Sequence, residues 1–562
     1  MNQPTPAIVS QSAVRRLPRW LLVGFCAVYV MAGFVGREPW KSQDIIALGY
    51  MSELAKGATA WFHPTLVGVP PEFDALLPYW MGAWAIRLAP DFIAPDFAAR
   101  LPYIALLVAT LLATWYSVYH LARTPRAQPV AFAFGGEADP TDYARAIADG
   151  GVLALIACLG LAQLSHETTP SLAQLGFTAM TFYGIAALPY RKTLPALSLA
   201  SGLLGLALSG APTMAVMFAA GGVVVALLAH PEDAQLRGTK WRWAALIMLI
   251  AMVVVAVASS LDAWRWRVVA DAATLARDWP GTVRLLVWFT WPAWPLAVWT
   301  VWRWRRQLTS RHVLLPLWFA GVAIATTVLT PTSDRSLLLA LPALAALAAF
   351  ALPTFKRAAS ALIDWFALLF FTGVAIVIWG VWTSLQIGIP HKPAVNVARI
   401  APDFVPTFSP LPFLLALAGT VAWFWLVRWR TGRHREAIWK SLVLPAGGFG
   451  LAWLLLMTLW LPALDYGRSY VPMVGAVTRL IDRPGCVQAM GLTRSQLAAF
   501  RFHANLDLRP AEVASPCAWL LMPQELQTAL PIAMDRRQWQ VIGLVRRPAD
   551  KKENLLVLRR GG

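Results

Sequence analysis

A chain of 562 residues that is 58% hydrophobic and only 14% charged, with a mean hydropathy of +0.56, is too apolar for a soluble protein of this size. Its 48 Lys and Arg against 29 Asp and Glu leave a net charge of +19, but these charges punctuate hydrophobic runs and build no single basic face, which argues against a nucleic-acid partner. Many of the 29 Trp stand beside Arg at the ends of apolar runs, as at 264–267 and 302–306, where indole and guanidinium suit the headgroup layer of a bilayer.

The N-terminus pairs a basic stretch at 15–19 with an apolar run near 20–36. It has the outline of a signal peptide but lacks an A-x-A cleavage site, so it is expected to remain as a first span. Further runs long enough to cross ~30 Å of hydrocarbon as helices lie near 101–122, 150–165, 171–189, 194–210, 212–230, 243–261, 282–302, 312–330, 336–353, 361–386, 410–428 and 441–461. The expected fold is mainly α, a polytopic membrane protein of about thirteen transmembrane helices. With the N-terminus cytoplasmic, the more basic loops, such as 123–149, 303–311 and 428–440, fall inside. The outer face then receives 37–100, 165–170, 209–212, 262–281, 330–335 and 387–409, where carboxylates, His and Pro collect, and also everything after about 461.

Two domains are expected: a transmembrane catalytic domain at 1–461, whose first outer segment is 37–100, and a small α/β domain at 462–562 on the outer face. In the first outer segment, Ile45, Leu48, Met51, Leu54 and Ala55 form an apolar stripe at helical spacing, too short and polar to span. A helix starting at Asp44 should therefore lie along the membrane surface, with Glu53 on its solvated side. A second amphipathic piece occupies 76–89. The C-terminal part alternates helix-like pieces (VPMVGAVTRLI, TRSQLAAF) with strand-like ones (CVQAM, CAWLLM, WQVIGLV, NLLVLRR). Cys26 and Cys158 fall inside apolar runs as packing residues. Cys486 and Cys517 lie in the exported part and are expected to form a disulfide, stabilising by about 3–4 kcal/mol in the chain-entropy model.

No G-x-x-x-x-G-K-[ST], no strand-linked G-x-G-x-x-G, no C-x-x-C and no H-E-x-x-H occurs, which argues against a nucleotide-driven engine or a nucleotide cofactor. The outer carboxylates are the remaining candidates for chemistry. Asp44, or Ser42 before it, can cap the surface helix, or Asp44 can act as a general base that takes a proton from an acceptor hydroxyl. Glu38 is a reserve base. Asp74, with Glu72 and His63 near it in sequence, is either a solvated loop charge or a contact to substrate hydroxyls or to a divalent metal cation. The pair His166-Glu167 either caps the third span or lines the same pocket. Arg265, Arg267 and Arg335 can snorkel to lipid headgroups or hold a phosphate. Arg100, at the start of the second span, is expected to be buried against a carboxylate.

The order of these pieces resembles the GT-C superfamily, and within it the aminoarabinose transferase and protein O-mannosyltransferase group (glycosyltransferase families 39 and 83). The resemblance rests on WKSQD at 40–44, GYMSELAKG, HPTLVGVPPEFD leading into PYW, AARLP, SHETTP, WFTWPAWPLAVW at 288–299 and DRSLLLALPALAAL from Asp334, and runs through most of 1–350. It implies an inverting sugar transfer from an undecaprenyl-phosphate donor to a lipid, glycan or protein acceptor on the periplasmic face of a bacterial inner membrane. One carboxylate would deprotonate the acceptor while cations offset charge on the leaving phosphate. Two positions depart from the family pattern. Gln43 stands where a first acidic residue is usual, and Ala75 follows Asp74 where the aminoarabinose transferases carry on to the Lys that holds donor phosphate. Phosphate binding is then expected from Lys41, Arg265 or Arg267.

A polyprenyl-linked sugar flippase or other lipid transporter is the alternative, though it should show mid-membrane charges, broken helices or internal repeats. A catalytically inactive scaffold is the third reading, kept open by Gln43 and Ala75. The cysteine pattern yields a first prediction. The native protein should change gel mobility on reduction, and Cys486→Ser should abolish that change; native protein with no mobility change refutes the disulfide.

Overall fold

The computed structural model describes residues 5–15, 17–72, 74–228, 239–264, 272–330, 334–355, 357–432, 438–482, 485–512, 515–527 and 538–561. Arg265 and Arg267 lie outside the described residues. The helices up to the middle of the chain are α1 (Arg19–Phe34), α2 (Gln43–Lys56), α3 (Leu77–Leu88), α4 (Pro95–Ala122), α5 (Pro140–Ala157), α6 (Pro170–Ala187), α7 (Thr193–Leu208), α8 (Pro212–Leu227), α9 (Lys240–Ser260) and α10 (Ala272–Phe289). Then come α11 (Ala293–Arg303), α12 (Arg311–Leu329), α13 (Asp334–Leu337), α14 (Leu341–Ala351), α15 (Arg357–Ile387), α16 (His391–Ile400), α17 (Pro410–Thr431), α18 (Lys440–Leu456), α19 (Leu461–Arg468), α20 (Val471–Leu480) and α21 (Arg494–His503).

Each apolar run expected to span is helical in whole or in part. Among the described residues, six helical stretches are long and apolar enough to cross a bilayer alone: α4, α9, α12, Arg335–Thr354, α15 and α17; α18 and α19, bent by 68°, make a seventh if they form one broken span. The protein is thus a multi-pass membrane protein, and the number thirteen is not fixed by these lengths. The apolar window of Arg335–Thr354 is wholly buried, whereas those of α15 and α17 are 22% and 11% buried. Composition explains the contrast. The α14 sequence LPALAALAAFA is mostly Ala, so α5, α11 and α12 can pack closely around it. Leu362, Leu369, Leu414 and Phe424 instead point outward from α15 and α17, as on helices that face lipid.

The apolar stripe of α2 is present, but the helix does not lie on a free surface. Ile45, Leu48, Met51 and Leu54 are fully buried, and so is Glu53, contrary to its expected solvation. The face that the stripe leaves polar is covered by α21. A Cβ on Gly49 would come within 2.7 Å of the Ala498 Cβ. Arg501 donates through Nε and Nη2 to the two Glu53 oxygens at 3.2 and 2.9 Å, and Lys56 Nζ donates to Asn505 Oδ1 at 3.1 Å. The helix stops at Gly57, whose φ of +73° suits the left-handed C-terminal turn.

The C-terminal sheet has the order β2-β1-β3-β5-β4, with β1 (Cys486–Ala489), β2 (Asp507–Pro510), β3 (Trp519–Pro523), β4 (Trp539–Arg547) and β5 (Asp550–Arg560). β1 runs parallel to β2 and β3, and β5 lies antiparallel between β3 and β4. Four strands match the strand-like pieces in the sequence. β2, DLRP, escapes notice because a short, charged edge strand ending on proline reads as a loop. α21 opens with a capping box in which Thr493 and Gln496 exchange side-chain and backbone hydrogen bonds. Cys486 and Cys517 are joined as a disulfide. The contact at Gly49 makes a prediction: Gly49→Val should push α21 off α2 at a cost of about 1–3 kcal/mol. Limited proteolysis within 462–562 should speed up and Tm should fall; an unchanged Tm would mean the contact is soft.

Candidate functional site

A helix C-terminus leaves carbonyls without partners inside the helix, and two arginines meet those of α1. Arg37 Nε donates to Gly33 O at 3.1 Å, and Arg100 Nη1 donates to Phe34 O at 3.0 Å. Arg37 Nη2 also donates to His166 O at 2.7 Å and pairs with Asp44 Oδ2 at 2.9 Å. A cation at the end of α1 and a carboxylate in the first turn of α2 each complement the helix macrodipole. With side chains 1% and 2% exposed, Arg37 and Asp44 form a buried ion pair that ties α1 and the segment after α5 to α2.

Both Asp44 oxygens are engaged. Oδ1 accepts the Thr168 N–H at 2.8 Å and the Thr168 hydroxyl at 2.7 Å, while Oδ2 accepts the Trp40 N–H at 3.2 Å beside Arg37. Burial would push the Asp44 carboxyl up, but Arg37, Arg100 and the two Thr168 hydrogen bonds together outweigh it and hold the group below its ordinary range. Ser42 occupies the N-cap position without a side-chain cap bond, so neither Ser42 nor Asp44 caps α2 in the way the sequence suggested.

Trp40 forms a wall of the site. Its ring carries two guanidinium groups, Arg37 at 4.7 Å and Arg468 at 5.0 Å from the centroid. Its Nε1 donates to Asp465 Oδ1 at 2.7 Å, and the same oxygen accepts the Glu38 N–H at 3.3 Å. Arg468 is exposed, and its Nη1 donates to Gln163 Oε1 at 2.6 Å. Gln163 Nε2 donates to Glu167 Oε1 at 2.9 Å, and Glu167 Oε2 pairs with Arg335 Nη2 at 2.7 Å. Consecutive residues of the SHETTP segment, Glu167 and Thr168, thus serve two ion pairs.

Among the residues expected from sequence, Asp44, Glu167, Arg335, Arg100 and Glu38 come together here. Arg100 lies 3.2 Å from Asp96, one turn earlier on its own helix. Glu38 is half-buried, and burial with the nearby Asp96 charge raises its carboxyl against the pull of Arg100. His166 supplies only its carbonyl. Its ring turns inward among Tyr29, Phe34 and Trp453, with the Tyr29 carbonyl 3.1 Å from Nε2, and burial pulls it down to about 4. The imidazole is therefore neutral and faces away from Asp44. Lys41 is held at 2.7 Å by Glu553 and at 3.2 Å by Asp550.

Asp74 is positioned by other elements: Leu76 N–H donates to Leu208 O at 2.8 Å, and the Asp74 carbonyl packs on Gly210. Gln43 Nε2 donates to Glu72 Oε2 at 3.3 Å, linking the two motifs of the first segment. His63 is exposed in a turn. Among the described residues no three of His, Cys, Asp and Glu converge. Sequence reasoning missed Arg37, Thr168, Asp465 and Arg468. The available signal was position: Arg37 ends the first apolar run, Thr168 lies within SHETTP, and Asp465 and Arg468 follow the last run directly.

The fold is thus a bundle of membrane helices whose first extended segment carries a charged cluster next to a small terminal sheet. Solved structures similar to it are ArnT from Cupriavidus metallidurans bound to undecaprenyl phosphate, with a TM-score of 0.61 and 13% identity over 96% of this chain and 97% of that chain, and the same protein in the apo state, with a TM-score of 0.60 and 12% identity over the same shares. No family model and no curated protein matches the sequence. The likeness is one of fold.

The ion pair carries its own prediction. Asp44→Asn leaves Arg37 buried without a counter-charge and should cost about 3–5 kcal/mol. Because the folded Asp44 sits below its ordinary value of about 3.9, its stabilisation is complete above that value and is lost as pH falls through the lower folded one. Wild type should therefore lose stability in acid by a component that Asp44→Asn lacks. Thermal unfolding across pH checks both statements, and equal Tm for the two proteins at neutral pH would refute the pairing.

Proposed function

We propose that this protein is a membrane glycosyltransferase that moves a sugar from a polyprenyl-phosphate donor to a lipid or glycan acceptor, working on the periplasmic face of the inner membrane with its N-terminus in the cytoplasm. The observation that carries this is the charged cluster around Trp40, where Asp44, paired with Arg37, accepts the Trp40 N–H and the exposed Arg468 lies over the Trp40 ring. Added support comes from fold likeness over 96% of the chain to a structure holding undecaprenyl phosphate.

In this scheme the donor phosphate takes the place of Gln163 at Arg468 and shares Arg335, because planar guanidinium groups match phosphate oxygens in pairs. Lys41, Arg265 and Arg267 are the remaining phosphate candidates. The acceptor hydroxyl hydrogen-bonds to Asp44 as Thr168 or Trp40 yields its place. Its oxygen attacks the anomeric carbon from the face opposite the phosphate, the sugar–phosphate C–O bond breaks with its electrons going to phosphate, and the hydroxyl proton passes to Asp44. One inversion results. Glu38, the more basic of the two carboxylates, is the second candidate for that proton. Asp74 is assigned to substrate hydroxyls, and no step is routed through a metal.

The test is transfer from undecaprenyl-phospho-sugar in membranes, at matched amounts of folded protein. Loss of a general base should lower the rate of Asp44→Asn by about 10²–10⁴-fold. Transfer at the wild-type rate would remove Asp44 from the chemistry. Movement of the lipid-linked sugar between leaflets without transfer would point to the transporter instead.

A further inference from the structure

The C-terminal sheet meets the site at Glu553, Asp550 and Arg547, and Glu553 gathers the most partners. Glu553, on β5, accepts four hydrogen bonds. Its Oε1 takes the Tyr470 hydroxyl at 2.6 Å and Gln496 Nε2 at 3.0 Å. Its Oε2 takes Lys41 Nζ at 2.7 Å and Arg547 Nη1 at 3.2 Å. Every lone pair of the carboxylate is used, and the side chain is 11% exposed. Three of these partners belong to the C-terminal part, on α21, on β4 and beside α20. The fourth, Lys41, belongs to the turn that carries Trp40 and Asp44.

On its outer side that turn is also held by Asp550 of β5, whose Oδ2 accepts Lys41 Nζ at 3.2 Å. The Lys41 N–H donates to Arg468 O at 2.9 Å, and the same carbonyl also accepts Arg547 Nη2 at 3.2 Å, with Gly467 O accepting it at 2.9 Å. Glu553 therefore grips both donors that converge on the Arg468 carbonyl: Lys41 from the first segment and Arg547 from β4. One step inward, the Trp40 N–H lies on Asp44 Oδ2 and the Trp40 ring lies under Arg468. A shift of Lys41 would move the Asp44 partner and the exposed guanidinium together. Burial would raise the Glu553 carboxyl, but Lys41, Tyr470 and Arg547 bring it below its ordinary value, so it stays charged at neutral pH.

We propose that Glu553 is a positioning residue for the Asp44 site: by clamping Lys41 and Arg547 it fixes the Trp40–Asp44 turn and the Arg468 guanidinium in register, so the C-terminal sheet completes the site without touching the reacting atoms. This rests on the transfer function proposed above. It assigns the sheet a part in the reaction, whereas a passive cover would leave the turn unchanged when the clamp is released.

The experiment compares wild type, Glu553→Gln and Arg509→Gln as full-length proteins, Arg509 being an exposed residue of β2 that pairs with Asp507 of the same strand. Sugar transfer and amide hydrogen exchange are measured on each. For Glu553→Gln, kcat should fall by about tenfold or more while the donor KM stays within about threefold. Exchange in the peptide covering 40–46 should speed up while the disulfide-linked segment 486–522 keeps its protection, and Arg509→Gln should match wild type throughout. Unchanged kcat, unchanged exchange at 40–46, or loss of protection across 486–522 would each overturn the positioning role. Wild type that transfers no sugar would defeat the transfer function alone, and exchange at 40–46 would then decide by itself whether Glu553 holds the Asp44 turn.

Discussion

The Arg37–Asp44 ion pair sets the terms for the rest of the site. Removing two charges from water costs several kcal/mol per ion, repaid only when geometry is good and every remaining lone pair and proton is satisfied. Asp44 meets that condition with partners from three places: Arg37 after α1, the Trp40 backbone and Thr168. Arg37 meets it with the carbonyls of Gly33 and His166 and the face of Trp40. No one of these elements can move alone without leaving a buried charge exposed to an apolar surrounding. The pair is therefore a geometric lock on how α1, α2 and the SHETTP segment meet.

A second ion pair is anchored differently. Arg335 stands at the head of Arg335–Thr354, the stretch at the centre of the bundle whose apolar window is wholly buried, and delivers its guanidinium to Glu167. Close Ala packing makes that stretch a stiff support, and functional groups on stiff elements hold their geometry better than groups on loops. Glu167 and Thr168 are neighbours in the chain, so the central helix and α2 are coupled through two adjacent residues. Arg468 joins from the last bend of the membrane bundle through Gln163.

Much of this was legible in the sequence because a bilayer imposes strict lengths and a periodic sheet imposes alternation. The apolar runs became helices, and CVQAM, CAWLLM, WQVIGLV and NLLVLRR became strands. Arg100, Glu167 and Arg335 could be singled out as charges at the ends of apolar runs, and Asp44 as the carboxylate that opens the amphipathic stripe. What failed was anything decided by distant partners. Glu53 looked solvated because its partner, Arg501, is 448 residues away, and Trp40 gave no hint of Asp465, 425 residues on. His166 misled for a local reason: in an irregular segment adjacent side chains diverge, so Glu167 faces the site while the neighbouring ring turns into the apolar interior.

The covering of α2 by α21 bears on how the protein is made. Glu53 and Arg501 are separated by 448 residues, and at about 5–20 residues per second a ribosome takes about 20–90 s to travel between them. Throughout that interval the first segment has been translated while the helix that shields its polar flank does not yet exist. The nascent chain must hold a half-built, charge-bearing pocket at the membrane edge until its last strands emerge. Early termination would therefore leave α2 translated but without the Arg501 partner of Glu53.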